Sequence, residues 1–297
     1  MHITVVIPTR GEKKNIDHSI SCFQKQTYRD FSVIFIVDKN ITDTNDYTKI
    51  DNISFLTNLN SLFHAWKWAS YVRNFWIQHT NSEYIMLMDD DEDFPEDFLS
   101  QMVVTRDHYR KIVGKDFVLT PTLMYRHSWK IQNQWFGYFN YRVSRPIVKS
   151  LGNRYFDYIQ MYSANCLFAP AYIFKKVLFD EKIDFVYEDL DFSYRIHKAW
   201  YPMIVVNNPK IYHMERDKTR LEDAWIGTPD QAYKKAKHRI IFVKKNANTY
   251  QKIQFFLLGL WWQPFWLLAK ILIYAPIKQK IPLIKALWKW TIDWLKY

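Results

Sequence analysis

The sequence predicts an α/β protein with a mostly parallel central sheet flanked by helices, followed by C-terminal helices of amphipathic and aromatic character. Short apolar runs alternate with amphipathic stretches over residues 1–90, which is typical of parallel strands joined by helical crossovers. The 297-residue chain is 18% aromatic with only 6 glycines, enough apolar material for one large domain or two modest ones. Residues 230–297 hold thirteen Lys or Arg and two acids, so the +11 charge of the chain lies in its last part.

The elements of the first half follow in order from the N-terminus. Ile3–Ile7 is an apolar run that ends at a proline, as a buried strand does. The helix predicted over residues 14–25 places Ile16, Ile20 and Phe23 on one face. Phe31–Val37 is a second strand-like run. The same reasoning predicts a strand over 53–56, a helix over 61–80 and a strand over 84–88.

Beyond residue 97 the periodicity is weaker. It predicts helices over 98–110, 171–176 and 189–200, and strands over 117–120, 165–168, 203–206 and 211–213. Residues 125–160 combine many aromatics with Arg and little periodicity, so irregular or mixed structure is expected. After residue 229, a basic helix over 233–252 precedes an apolar stretch over 253–277 and, after Pro282, an amphipathic helix.

An acidic run, Asp89–Asp93, directly follows the predicted strand Tyr84–Met88. Ligands of open α/β sheets bind outside the carboxyl ends of the strands. Asp89 and Asp91 are two residues apart, so both can reach one hard divalent cation. The alternative is a solvated acidic loop that also starts the next helix at Pro95. The run alone does not decide between these interpretations.

Other acids occur at similar places. Asp38 ends the second predicted strand, where it can accept hydrogen bonds from a base or ribose or simply belong to a turn. Glu188, Asp189 and Asp191 open a predicted helix. They suit its dipole, and a carboxylate there can instead act as a general base.

Two basic signals accompany the acids. His213 follows a short strand and is either a structural residue or a third ligand beside two carboxylates around manganese or magnesium. Arg73 and Asn74 lie on the helix before the acidic strand, where Arg can pair with a phosphate or simply lie on the surface.

Taken together and in this order, these residues resemble an inverting family 2 glycosyltransferase of the GT-A fold. The resemblance covers residues 3–215. It is carried by Val5–Arg10, Ser19–Ser21, Gln26–Phe31, the strand ending at Asp38, Arg73-Asn74, Tyr84–Asp91 and Glu188-Asp189 with its helix.

The resemblance implies roles for individual residues. Asp189 would be the catalytic base, with Glu188 beside it. Asp89, Asp91 and His213 would bind the divalent cation, Mn²⁺ or Mg²⁺. The residues expected to bind the nucleotide sugar are Pro8, Thr9, Arg10, Glu12, Asp38, Arg73, Asn74 and Asp90.

Some positions depart from the family pattern. Lys39-Asn40 replaces the usual Asp-Gly-Ser after the nucleotide strand, and Tyr187 stands where a glycine often precedes the Glu-Asp motif. Five acids in a row leave the DxD register open by one residue. A nucleotidyltransferase is the less favoured relative, because that chemistry usually shows a glycine-rich loop after the first strand, and only Gly11 stands there.

The predicted organisation is a glycosyltransferase domain over 1–228, with a nucleotide-binding half, 1–97, and an acceptor-binding half, 98–228. A basic, Trp-rich helical tail, 229–297, follows. Cationic charge and tryptophan coincide there, which favours an anionic membrane surface over a soluble helix packed on the body or in a homo-oligomer. The neutral body argues against nucleic acid as a partner.

The expected function is metal-dependent, inverting transfer of a sugar from a nucleotide-diphosphate sugar to a lipid-linked (polyprenyl) saccharide or another saccharide acceptor. The alternatives are a polyprenyl-phosphate monoglycosyl transferase and a non-catalytic membrane scaffold. Only Cys22 and Cys166 are present, and no signal peptide is expected, so the cytoplasmic face of the membrane is the predicted location.

Overall fold

The computed structural model describes residues 1–37, 52–56, 68–133, 136–148, 151–183, 186–214, 220–224 and 226–293. Within them the chain has the predicted α/β class, a mixed and largely parallel sheet with helices on both faces. The first strands are β1 (Ile3–Thr9), β2 (Phe31–Val37), β3 (Ile53–Leu56) and β4 (Tyr84–Met88). β1 pairs in parallel with β2 and β4, and β2 pairs in parallel with β3.

The second half of the chain extends the same sheet. Its strands are β5 (Glu92–Asp93), β6 (Val118–Tyr125), β7 (Ile131–Asn133), β8 (Phe136–Asn140), β9 (Arg145–Val148), β10 (Phe156–Tyr158), β11 (Cys166–Pro170) and β12 (Met203–His213). The main order is β10-β12-β6-β11-β4-β1-β2-β3. β11 is antiparallel to both β4 and β6, so β6 and its parallel partner β12 run in the same direction as β4. The two halves predicted on either side of residue 97 therefore share one continuous sheet.

One prediction for this half needs correction, and another becomes more specific. The separate strands expected over 203–206 and 211–213 are one strand, β12, with a register shift between Val205 and Lys210 and a cis Asn208-Pro209 bond. Polar Asn207, Asn208 and Lys210 broke the apolar pattern without breaking the strand. Residues 125–160, expected to be irregular or mixed, contain β7, β10 and the small β8–β9 sheet.

Two apolar cores cover the faces of the sheet. The helices of the body are α1 (Lys13–Gln24), α2 (Trp68–His79), α3 (Phe98–Val113), α4 (Ala171–Lys176), α5 (Glu188–Lys198) and α6 (Arg220–Asp223). α1 and α3 pack on one face through residues such as Phe23 and Met102. α2, α4 and α5 pack on the other through residues such as Val72 and Phe192.

The C-terminal segment is helical. It consists of α7 (Pro229–Asn246), α8 (Thr249–Gln254), a π turn (Phe255–Gly259), α9 (Leu260–Tyr274) and α10 (Ile277–Asp293). The single helix expected over 233–252 is interrupted after Asn246, where Asn248 forms a capping box with Gln251 and restarts the chain as α8. α10 begins before Pro282, which lies inside it.

This segment shares a third core with the body. Ile240, Phe242, Phe255 and Leu267 pack in one cluster with body residues such as Phe139. Thr249–Tyr274 is long and apolar enough to cross a membrane by length and composition alone, and a third of its most apolar window is buried. Association of this segment with a membrane remains a prediction.

Candidate active site

The carboxyl ends of three strands meet at one rim of the sheet. β1 ends at Thr9, β4 ends just before Asp89, and β12 ends at His213. Because all three strands run in the same direction, residues far apart in sequence converge there. The short strand β5 pairs with the end of β12, opposing His213 to Glu92, and thus folds the acidic run over this rim.

Asp90 links the acidic run to the first strand. The Thr9 hydroxyl donates a hydrogen bond to its carboxylate, and Ser19 Oγ donates to its backbone oxygen over 2.8 Å. Burial raises the pKa of Asp90, although the Thr9 hydrogen bond opposes that shift. Asp90 therefore fixes the acidic run relative to β1 and α1.

Asp89 is held by two donors. Arg73 Nη2 donates to one carboxylate oxygen over 2.9 Å, and Asn165 Nδ2 donates to the other over 2.9 Å. Burial raises the pKa of Asp89 to about 6, with Arg73 lowering it and the nearby Asp91 and Asp189 raising it. Arg73, expected to pair with a phosphate or to lie on the surface, forms an ion pair with Asp89 inside the site, and its side chain is only 6% exposed.

Asp91, Glu92 and His213 form the group best suited to a hard divalent cation. One ligand atom from each lies within 4.8 Å of the others, and His213 Nε2 is 2.8 Å from Asp91 Oδ2. Glu92 is fully buried, and its Oε2 has no hydrogen-bond partner within the described residues. Burial raises its pKa well above the usual range, with His213 opposing. Two carboxylates and an imidazole fit Mn²⁺ or Mg²⁺, and a cation would supply the partner that Oε2 lacks.

Glu188 and Asp189 begin α5 at the same rim. Tyr187, just before them, adopts a left-handed backbone with φ of 84°, a conformation that glycine adopts more readily than other residues. Arg73 Nη1 lies 3.6 Å from Asp189 Oδ1, so one guanidinium joins Asp189 to Asp89. Burial raises the pKa of Asp189, with Arg73 opposing, and burial followed by repulsion from Asp189 raises the pKa of Glu188 to about 8.

Asp191, from the same acidic run, has a structural role. It is fully buried and receives hydrogen bonds from Arg195 Nε over 2.7 Å, Lys245 Nζ over 3.0 Å and Asn246 Nδ2 over 2.7 Å. These contacts fasten α7 to α5. The run thus divides between two acids facing the rim and one acid inside the protein.

The remaining predicted residues differ in placement. Pro8 is half-buried and Arg10 and Glu12 are exposed just after β1, while Asp38 lies outside the described residues. Asn74 was expected to bind the nucleotide sugar, but its side-chain amide is engaged within the protein. Its Nδ2 donates to Phe179 O and Glu181 Oε1, and its Oδ1 accepts from Phe179 N over 2.7 Å. Its amide anchors the loop before α5 instead.

Two residues of the site were not predicted. Glu92 was treated only as part of the acidic run, although its position opposite His213 follows from β5 pairing with β12. Asn165 donates to both Asp89 and Glu92, over 2.9 and 3.1 Å. The sequence placed Asn165 at the start of a predicted strand. It did not indicate that this strand, β11, lies beside β4.

Comparison with known proteins identifies a related family and fold. The family model described as glycosyl transferase family 2 matches residues 4–164. The fold is similar to S. aureus TarS 1-349 in complex with UDP-GlcNAc, with a TM-score of 0.60 and 14% identity over 98% of this chain and 80% of that chain. The complex of TarS 1-349 with UDP gives 0.55 and 13% over 99% and 92%.

A longer S. aureus TarS structure gives a TM-score of 0.58 and 14% identity over 98% of this chain. The chain spans 48% of that protein. No curated protein sequence matches the chain significantly.

Proposed function

Because this chain belongs to glycosyl transferase family 2 and is a glycosyltransferase, we propose that it transfers a sugar with inversion from a nucleotide-diphosphate sugar to an acceptor hydroxyl. The observation that carries this proposal is the position of Arg73 between Asp89 and Asp189. On the proposed mechanism, the acid on one side of this guanidinium, Asp89, would lie near the diphosphate, and the acid on the other side, Asp189, would lie near the acceptor.

A uridine diphosphate sugar is the proposed donor. The structural neighbours that share the fold were solved with UDP-GlcNAc and with UDP. Pro8, Thr9, Arg10, Glu12 and Asp38 are proposed to line the nucleotide pocket, at the rim where open α/β sheets bind nucleotides.

Asp91, Glu92 and His213 are proposed to hold the divalent cation, with Asp89 beside them. The donor set, and the unpartnered Glu92 oxygen within the described residues, support Mn²⁺ or Mg²⁺. When bound, the cation would neutralise the charge that develops on the diphosphate leaving group. Asp89, paired with Arg73, keeps this end of the site ordered.

Asp189 is proposed as the base. Its raised pKa makes it a better proton acceptor near neutral pH than an ordinary carboxylate. It accepts the proton of the acceptor hydroxyl as that oxygen attacks the anomeric carbon from the face opposite the diphosphate. One displacement with no covalent enzyme intermediate inverts the anomeric configuration. The pKa of Glu188 is raised to about 8, so Glu188 is mostly protonated near neutral pH and adds little negative charge beside Asp189.

The acceptor is proposed to be a polyprenyl-linked saccharide at the cytoplasmic face of a membrane, with polyprenyl phosphate itself as the alternative. Support comes from the C-terminal helices, which expose apolar side chains such as Trp261, Trp262 and Phe265 beside many lysines. The two cysteines are free, which suits a reducing compartment.

The test is transfer by the purified full-length chain from a panel of nucleotide sugars to polyprenyl-linked acceptors, in Mn²⁺, Mg²⁺ or EDTA. Asp189→Asn should bind the donor like the wild type and lower transfer by about 10²–10⁴-fold, because the amide cannot take a proton. The matched control is Asp107→Asn on α3, whose side chain is 55% exposed and which should be unaffected.

Three outcomes would contradict parts of the proposal. Full activity in EDTA would contradict the proposed dependence on a cation. Near wild-type transfer by Asp189→Asn would contradict the proposed role of Asp189 as the base. Failure of every nucleotide sugar to be hydrolysed or transferred would contradict the proposed donor class.

A further inference from the structure

A second group of metal-ligating side chains lies behind the acidic run. His18 and Cys22 are one turn apart on α1, and Asp93 on β5 faces them. His18 Nε2 is 3.3 Å from Asp93 Oδ1, Cys22 Sγ is 3.6 Å from the same oxygen, and Cys22 Sγ is 3.5 Å from His18 Nε2. The three donor atoms therefore form a nearly equilateral triangle.

The dimensions of this triangle match one face of a coordination tetrahedron. A tetrahedral zinc ion has bonds of about 2.3 Å to sulfur and about 2.1 Å to nitrogen and oxygen, which separates its ligand atoms by about 3.3–3.6 Å. The observed separations are 3.3, 3.5 and 3.6 Å. A charge-assisted hydrogen bond between His18 and Asp93 would instead bring nitrogen and oxygen to about 2.7–2.9 Å. The His18–Asp93 separation is therefore long for a direct contact and fits an ion between the two groups, whereas the two sulfur separations fit either an ion or hydrogen bonds of the thiol.

We propose that His18, Cys22 and Asp93 bind a Zn²⁺-class cation, separate from the cation of the active site. Sulfur and imidazole ligands select zinc or a similar soft ion over Mg²⁺, which prefers an octahedron of oxygens. Cys22 is buried, but the His18 side chain is 33% exposed, which gives an ion access from solvent. Three protein ligands leave a fourth position for water.

The surroundings of Asp93 support a ligand role. Arg126 Nε lies 2.9 Å from its second oxygen, Oδ2, and leaves Oδ1 directed at His18 and Cys22. Carboxylates that bind a metal are commonly oriented by such an outer hydrogen bond. Arg126 also carries a cost, because its charge weakens affinity for a cation. The site is therefore expected to bind less tightly than structural zinc sites with several cysteines.

The proposed ion braces the loop that carries the active-site acids. Asp93 and Glu92 together form β5, and Asp91 immediately precedes them. An ion linking Asp93 to α1 would hold this loop against the helix, while β12 holds it from the other side. The expected consequence is a more stable fold and a more rigid acidic loop.

The test is titration of the full-length protein with Co²⁺ in a non-thiol reductant, followed by Zn²⁺. The wild type should develop a thiolate-to-cobalt charge-transfer band with one equivalent of Co²⁺, and Zn²⁺ should abolish it. Cys22→Ser should lose the band, and its affinity for Zn²⁺ should fall by more than about a hundredfold, since outer-shell changes alone cost about 10–100-fold. Cys166→Ser, which changes the other buried cysteine, should keep it.

Melting temperature provides a second measurement. In EDTA, Cys22→Ser should melt near the wild type, and Zn²⁺ should raise the melting temperature of the wild type more than that of Cys22→Ser, in which the active-site group can still bind the ion. Asp91→Asn, which alters the active-site cation group, should keep the cobalt band, so this test is independent of the proposed enzymatic activity. Absence of the band in the wild type, or an equal band in Cys22→Ser, would overturn the proposal.

Discussion

At the residue scale, Arg73 connects acids that come from different elements. Its Nη2 lies 2.9 Å from Asp89 after β4, and its Nη1 lies 3.6 Å from Asp189 at the start of α5. A buried cation between two carboxylates lowers the pKa of both, whereas their burial raises it. Arginine suits this place because its planar fork can face two oxygens from different residues at once.

Glu188→Gln should change how the stability of the protein without metal and nucleotide depends on pH. The pKa of Glu188 is raised from 4.5 to about 8 in the folded chain, so between these values the folded state keeps a proton that the unfolded chain has lost. Wild-type stability should therefore fall as pH rises from about 5 to about 8. The variant lacks this slope, so its melting temperature relative to the wild type should climb over that interval and then level.

Melting curves from pH 5 to 9 measure this effect, with the exposed Glu96→Gln as control. A constant difference between Glu188→Gln and the wild type at every pH would show that Glu188 titrates like an ordinary glutamate.

Sequence reasoning anticipated the residues that a strand delivers to the rim. Asp89 and Asp91 were expected at this edge because they directly follow a predicted strand, and the resemblance to the glycosyltransferase family added His213 to them. The structure brings these residues to one rim because their strands run in the same direction. Asn74 was expected to bind the nucleotide sugar and Asn165 was given no role, because an amide takes its role from the atoms opposite it. Asn74 faces the loop at Phe179, and Asn165 faces Asp89, and no periodicity in the chain encodes either contact.

At the element scale, the apolar pattern predicted where most strands and helices begin, but not what interrupts them. β12 continues through polar residues because its neighbour β6 supplies hydrogen bonds on both sides of the register shift. α7 ends at Asn246, whose side chain donates to the buried Asp191. Both boundaries depend on tertiary partners, which override local pattern.

Gly259→Ala should loosen the attachment of the C-terminal helices. A Cβ at this π-turn residue would clash with the backbone oxygen of Tyr141 and would lie 3.1 Å from Ser144 Cβ. Because backbone cannot rotate away, the turn must shift, and such overpacking costs about 1–3 kcal/mol. Denaturant unfolding should show this loss.

Gly227→Ala is the matched control. Its Cβ would meet the flexible Gln231 side chain at 3.3 Å, so its effect should be small. Equal stability of Gly259→Ala and the wild type would mean that α9 does not rest on Tyr141 as described.

At the scale of the whole molecule, charge and exposed apolar surface coincide in the C-terminal segment. Residues 230–297 account for the +11 charge of the chain. The inner side of α9 is buried through Leu260, Leu267 and Ile271, whereas Trp261, Trp262 and Phe265 are 49–57% exposed. Because one side is committed to the body, the proposed membrane contact is an interfacial one rather than a free spanning helix.

Replacing Trp261, Trp262 and Phe265 with Ser together should abolish membrane binding. Full-length wild type should float with vesicles of phosphatidylcholine and phosphatidylglycerol, and high salt should weaken that binding because lysines face anionic lipid. The triple variant loses the apolar anchor and should stay in the bottom fraction.

Trp129→Ser with Trp200→Ser is the control, since these side chains are 56% and 84% exposed on the body. This double variant should float like the wild type. Wild-type protein that stays with the soluble fraction would instead favour an oligomer interface on the same side of α9.

The close approach of Gly259 to Tyr141 fixes the C-terminal helices against the body of the protein. With no side chain between the π turn and Tyr141, the helices that would rest on lipid are seated directly on the catalytic body. No pliable tether separates the two within the part of the chain that the structure describes. Asp189 would therefore lie at a fixed distance from the lipid headgroups. Lipid-linked acceptors should then be selected by the length of the segment between the lipid and the hydroxyl that receives the sugar.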